Sequence, residues 1–237
     1  MKGSGGCIGI NLYGEPGTGK SIAAEAIAKS VGSEIIRVKL SEVLDSLQGN
    51  TEKNLSKLFE TAEEKNLIIL FDEADSLLSK RSVAGTANSN STNLMKSHML
   101  TLLDRSNVIV IFTTNFFKNY DRAFVRRILF NIGFPNPNKE ELESLWKFHL
   151  NENIPKEISY NELAEMSIGL TGGDIKKLTL TLCIKLSSNR IKSINTLTVT
   201  EEIEKYKNSI KASNGEISVG VEIPESQLPV EIKKALN

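Results

Sequence analysis

A chain of 237 residues with 29 basic and 29 acidic side chains has no excess charge for general binding to nucleic acid or an anionic membrane. Its 40% hydrophobic content is that of a folded globular protein with room for one large or two small domains, and no apolar run approaches a membrane span. The two cysteines, Cys7 and Cys183, lack any CxxC or metal-ligand spacing and read as buried thiols in a reducing compartment. The short, glycine-rich N-terminus is unlike a secretory signal, so the expected location is cytoplasmic.

Five short apolar segments divide the first half of the chain, at residues 7–13, 34–40, 67–72, 107–114 and 128–134. They are rich in β-branched residues and alternate only weakly, as strands buried on both faces of a parallel sheet do. Between them, KSIAAEAIAKSV puts apolar residues at 22, 23, 26, 27 and 31, and TEKNLSKLFETAEE puts them at 55, 58, 59 and 62. Both spacings are helical, although Thr51 opens the second helix without a full capping box. Strand and helix in alternation predict an α/β layer architecture. Residues 79–93, SKRSVAGTANSNSTN, are nearly all small and polar and predict a long surface loop.

FPNPNKEE, residues 134–141, is a stiff connector and sets a domain boundary near Pro137. Beyond it KEELESLWKFHL and SYNELAEMSI read as helices. KLTLTLCIKL is ambiguous: Leu178, Leu180, Leu182, Ile184 and Leu186 alternate as in a strand, while Ile175, Leu178, Leu182 and Leu186 share a helical face. Periodicity alone favours the strand. The expected divisions are 1–136, 137–212 and a tail, 213–237, that is left unassigned.

GEPGTGKS matches G-x-x-x-x-G-K-[ST] and comprises Gly14, Glu15, Pro16, Gly17, Thr18, Gly19, Lys20 and Ser21. It follows a strand-like segment and opens a helix-like one, the context a phosphate loop needs. Glycines let backbone N–H groups turn inward onto phosphates, with the helix N-terminus adding positive potential. Lys20 would reach the β- and γ-phosphates and Ser21 would ligate Mg²⁺. The plainer alternative is a glycine turn with an incidental lysine. LIILFDEAD ends a buried strand in acid, which puts Asp72 and Glu73 where ligands of open α/β sheets bind. Asp72 is a candidate Mg²⁺ ligand, a cation that wants hard oxygens, and Glu73 a candidate base for the attacking water; a solvated acidic cluster is the alternative. VIVIFTTN ends in Asn115, a candidate contact to the γ-phosphate or the water, or equally a turn or cap.

The order of phosphate loop, hydrophobic-DE, strand-TN and D-x-A-x-x-x-R-R resembles the AAA+ ATPase family over about residues 6–211. DRAFVRRI, FPNP and LW resemble its AAA, protein-remodelling branch. The resemblance implies a five-stranded parallel P-loop sheet flanked by helices, with the sensor strand between the two nucleotide-binding strands, and then a small α-helical lid. It makes residues 171–188 a lid helix rather than a strand. TGGDIKKL then brings Gly172 and Gly173 near the adenine, and Lys176 falls where some relatives carry a cationic second sensor.

The same resemblance gives a role to three arginines crowded into a neutral chain. Arg126 and Arg127 match the positions of fingers that a neighbouring subunit supplies, which can contribute about 10³–10⁵ in rate; Arg122 replaces the usual proline. The implied cofactors are ATP and Mg²⁺, and the implied partners are further copies of the chain in a homohexameric ring and a protein substrate. The alternatives are an ATPase acting on nucleic acid, which charge neutrality disfavours, and a nucleotide-dependent scaffold or switch with little turnover. Leu47 and Gln48 stand where an aromatic–aliphatic pore-loop pair is usual, so threading is weak or specialised. By the resemblance, neither the helix that precedes the first strand in relatives nor a recruiting domain is expected within these residues, and no HExxH occurs in them. His98 and His149 are expected on helix faces and Trp146 in the lid core.

Overall fold

The five apolar segments form one parallel sheet in the order β2-β3-β4-β1-β5. In this computed structural model residues 6–39, 51–79, 87–115 and 120–213 are described. Leu47, Gln48 and nearly all of the tail therefore lie outside the described residues. The strands are β1 (Ile8–Gly14), β2 (Ile35–Lys39), β3 (Ile68–Asp72), β4 (Ile109–Thr114) and β5 (Ile128–Phe134). β4 lies between β3 and β1, with Tyr13 level with Thr114 and Phe71 level with Phe112. That register brings the carboxyl ends of β1, β3 and β4 side by side, where ligands of such sheets bind.

Helices cover both faces. α1 (Lys20–Ser30) lies on one side, where Ala24 and Ala28 pack on Leu12, Ile68, Leu70 and Ile111. α2 (Thr51–Lys65), the single turn α3 (Asp75–Leu78) and α4 (Ala87–Arg105) join the core of the other, with α5 (Arg122–Val125) at its edge. α2 buries Leu55, Phe59 and Ala62 as its spacing predicts. α1 does not bury the expected stripe: Ile22 is 72% exposed, and the buried line runs through Ala24 and Ala28. Where a helix lies close on a sheet the small residues go inward, and a stripe counted by hydrophobicity misjudges its rotation.

Two further expectations need correction. The loop expected at 79–93 ends early, because α4 begins at Ala87. Its polar first turns extend a helix anchored further on by buried Met95, Met99, Leu100 and Leu103. β5 is not buried on both faces. Leu129 is 67% and Phe130 51% exposed, since β5 is the sheet's edge and no described element covers it.

The remaining helices are α6 (Lys139–His149), α7 (Tyr160–Met166), α8 (Gly172–Ser187) and α9 (Thr196–Ser213). They share a core of their own, centred on fully buried Trp146, whose indole N–H donates to Ser167 Oγ at 3.0 Å. The 171–188 stretch is helical. Ile175, Leu178 and Leu182 point inward, whereas Leu180 and Ile184, apolar positions of the strand pattern, are exposed. A capping box decides it: Thr171 accepts from the Asp174 N–H, and the Asp174 side chain accepts from the Thr171 N–H.

Candidate active site

The phosphate loop leaves β1 through Gly14, which has no room for a side chain: a Cβ there would sit 2.3 Å from the Phe134 carbonyl oxygen. Gly19 takes the N-cap position of α1 in a left-handed conformation, with φ of 97°. No side chain caps this helix, so its leading N–H groups are turned to the loop rather than to a neighbour's oxygen. Lys20, buried although charged, folds back under the loop. Its ammonium donates to the carbonyls of Gly14 and Glu15, both at 2.8 Å, and to Asn115 Oδ1 at 3.1 Å. Burial pulls its pKa below the ordinary lysine value, against the opposing pull of Asp75 and Asp72. Thr18 Oγ1 donates to the Glu15 carbonyl at 2.8 Å, and the Glu15 carboxylate accepts from Asn136 at 3.0 Å; Pro16 is exposed.

Ser21, next on α1, donates to Asp72 at 3.1 Å and 3.3 Å to its two oxygens. A hydroxyl and a carboxylate side by side, at the foot of the glycine-rich loop, are the hard-oxygen donors that Mg²⁺ prefers. The residues present therefore fit Mg²⁺ with a polyphosphate. Glu73, one residue on, is exposed and takes φ of 55°, which non-glycine residues rarely adopt. The Asn115 N–H donates to Asp75 Oδ1 at 3.1 Å. Lys20, Ser21, Asp72, Glu73 and Asn115 thus gather at one end of the sheet.

The lid reaches the same loop. The Gly173 N–H donates to the Gly17 carbonyl at 2.9 Å, and a Cβ on Gly173 would stand 2.9 Å from Gly17 Cα. Gly17, at φ of 83°, would place its own Cβ 2.5 Å from Thr171 Oγ1. Gly172 faces Leu145, and the Tyr206 hydroxyl donates to Asp174, tying α9 to the start of α8. Burial first, and then the Asp174 carboxylate, push the Tyr206 phenol up to about 12. Lys176 lies one turn further along α8. It is exposed, and its charge joins burial in holding the His149 pKa down.

The arginines stand elsewhere. Ile128 pairs near Gly9, whereas Phe134 pairs with Gly14, so Arg126 and Arg127 lie a strand's length, about 20 Å, from their own phosphate loop. Arg127 makes a two-pronged pair with Asp104 at 2.7 Å on each prong and a third bond to the Ala123 carbonyl at 2.9 Å. That guanidinium holds the Asp104 carboxyl below its ordinary pKa. The Arg126 side chain is exposed and makes no hydrogen bond or ion pair among the described residues, while its backbone N–H donates to the Arg122 carbonyl at 3.2 Å.

The profile of the family described as "ATPase family associated with various cellular activities (AAA)" matches residues 10–136, more than half the chain. The chain belongs to the AAA ATPase family. This AAA chain is 33% identical over 176 residues to proteasome-activating nucleotidase 1 of Haloferax volcanii, a match covering 71% of the chain and 43% of that protein. To the vacuolar protein sorting-associated protein 4 of Dictyostelium discoideum it is 33% identical, over 72% of the chain and 39% of that protein. To the outer mitochondrial transmembrane helix translocase of Xenopus tropicalis it is 29% identical, over 91% of the chain and 64% of that protein. The AAA chain spans about half the length of the curated relatives it matches. Among its described residues no helix is long and apolar enough to cross a membrane.

Three residues of this candidate site, Thr113, Asp75 and Asn136, and Asp104 at the arginine end of the sheet were not singled out in the sequence. Asp104 and Asn136 pair with partners 23 and 121 positions away, which no local spacing reveals. Thr113 was visible only as a strand residue, where threonine is enriched. Asp75 lay within the quoted acidic run, and its role at the Asn115 backbone emerges only once β3 and β4 are adjacent.

Proposed function

We propose that this chain is a Mg²⁺-dependent ATP hydrolase that works in a homohexameric ring and uses hydrolysis to remodel or unfold protein assemblies. The convergence of Lys20, Ser21, Asp72, Glu73 and Asn115 at one end of the sheet is the observation that carries the reading. In it, the loop N–H groups and Lys20 bind the phosphates of ATP, and the lysine exchanges the Gly14 and Glu15 carbonyls for phosphate oxygens. Ser21 and Asp72 hold Mg²⁺, which when bound neutralises charge across the phosphates. Glu73 accepts the proton of the attacking water, and Asn115 orients that water or the γ-phosphate. Gly172 and Gly173 bound the adenine end through their contact with the loop; Lys176 is assigned no phosphate contact.

The distance of the arginines from their own loop supports action on a neighbour's site. Arg126, unpaired among the described residues, is the finger. Arg127, committed to Asp104 and Ala123, holds the helix end that presents it. Relatives named for proteasome activation and for moving transmembrane helices support a protein substrate, and neutral charge argues against nucleic acid. A cytoplasmic location belongs to the proposal, supported by two free cysteines whose pKa burial raises. The test is the ATP hydrolysis rate with unfolded polypeptide, DNA or RNA added. Stimulation by polypeptide is expected; stimulation by nucleic acid alone contradicts the proposal.

A further inference from the structure

We infer that Thr113 is a positioning residue, whose side chain and backbone lock both acids at the end of β3 to the sensor strand. It fixes the Asp72 carboxylate for the metal and the Glu73 backbone for water activation. This rests on the hydrolytic reading above. Thr113 is 2% exposed, in the middle strand of the three that form the site. Its hydroxyl accepts from the Glu73 N–H at 3.1 Å and donates to Asp72 Oδ1. Its carbonyl accepts from the Ala74 N–H at 2.8 Å.

The direction of these bonds is forced. An amide N–H can only donate and an ionised carboxylate can only accept, so the hydroxyl's one proton must point at Asp72. A hydroxyl serves both neighbours at once, and the Val side chain can serve neither.

The two amides held by Thr113 belong to the peptide units on either side of Glu73. Tying both to one residue fixes both backbone dihedrals of Glu73, and φ there is 55°. Such a sparsely populated conformation persists only where its surroundings over-determine it. Ser21 contacts the same Asp72 oxygen at 3.1 Å. Thr113 therefore links the metal-side carboxylate to the backbone that aims the base. A threonine that merely satisfied its own hydroxyl in the core would need one of the hydroxyl's bonds, not both.

The test compares the parent with Thr113→Val, which removes the hydroxyl at nearly constant shape, and Thr113→Ser, which keeps it. A non-hydrolysable ATP analogue is titrated calorimetrically with Mg²⁺ and with chelator, and turnover is measured separately. Residues that orient metal ligands are worth about 10–100-fold in metal affinity or activity. Thr113→Val is expected to lose about that factor of the Mg²⁺-dependent gain in affinity, and of turnover, while chelator affinity changes by about twofold or less. Thr113→Ser is expected to recover most of both. A Thr113→Val protein with the parent's Mg²⁺ gain and turnover overturns the inference, as does a Thr113→Ser protein as impaired as Thr113→Val. Melting temperature checks that each variant folds; if Thr113→Val does not, Thr113→Ala is read by the same criteria. Glu73→Gln separates the two claims, because full turnover there would sink the hydrolytic reading itself.

Discussion

Lys20 is a charged group taken out of water and held by two carbonyls and an amide oxygen of its own site. A buried ammonium without an ionic partner is costly, and a phosphate in the loop would supply one. Lys20→Ala should therefore abolish detectable nucleotide binding by calorimetry, and affinity within about tenfold of the parent would contradict its role. Glu73→Gln should bind nucleotide normally and lose turnover, since an amide cannot accept the water's proton. Arg126 and Arg127 should separate. Arg126→Ala is expected to lower turnover by about 10³-fold or more with ATP affinity intact. Arg127→Ala and Asp104→Ala should resemble each other and be milder, because each breaks the same pair. Arg127→Ala at least as damaging as Arg126→Ala, with Asp104→Ala harmless, would reverse the assignment. The loop and the acids were legible in the sequence because each chemistry requires particular residue types at short, fixed spacing, and the arginines through the family resemblance. Thr113 and Asp104 were not, because an ordinary residue becomes a site residue only through a neighbour brought in by the fold.

Among the elements, α8 shows how local chemistry settles an ambiguous pattern. Its leucines alternate, but Thr171 and Asp174 cap a helix start, and the cap was present in the sequence at the right spacing. All five strands were readable from their apolar runs, whereas the exposure of β5 was not, since a strand carries no mark of being at the edge. The rotation of α1 also escaped, because alanine scores as weakly apolar whether it faces in or out. The contact between α8 and the phosphate loop leads to a further expectation. Gly173→Val places its Cβ 2.9 Å from Gly17 Cα, so lid and loop must part, and nucleotide affinity should fall without loss of the folded lid. Unchanged affinity would mean that the lid contact is not part of the site. Trp146→Ala, by contrast, should cost about 3–5 kcal/mol of stability through the cavity left in the lid core, measured by denaturant unfolding. A loss below about 1 kcal/mol would show that this core collapses around the gap.

For the whole molecule, one chain contains a phosphate loop at one end of the sheet and an exposed arginine about a strand's length away at the other. A site completed only between copies makes turnover per chain rise with protein concentration, and a flat value across a dilution series spanning dissociation would mark a self-contained site. Mixing two inactive variants tests the central claim most directly. A Lys20→Ala chain lacks a working loop but keeps Arg126; an Arg126→Ala chain keeps its loop but lacks the finger. At equal concentration, under conditions where subunit exchange is confirmed, some interfaces pair an intact loop with an intact arginine. Phosphate release should then recover part of the parent rate, well above that of either variant alone. A mixture as inactive as its components would contradict catalysis across the interface.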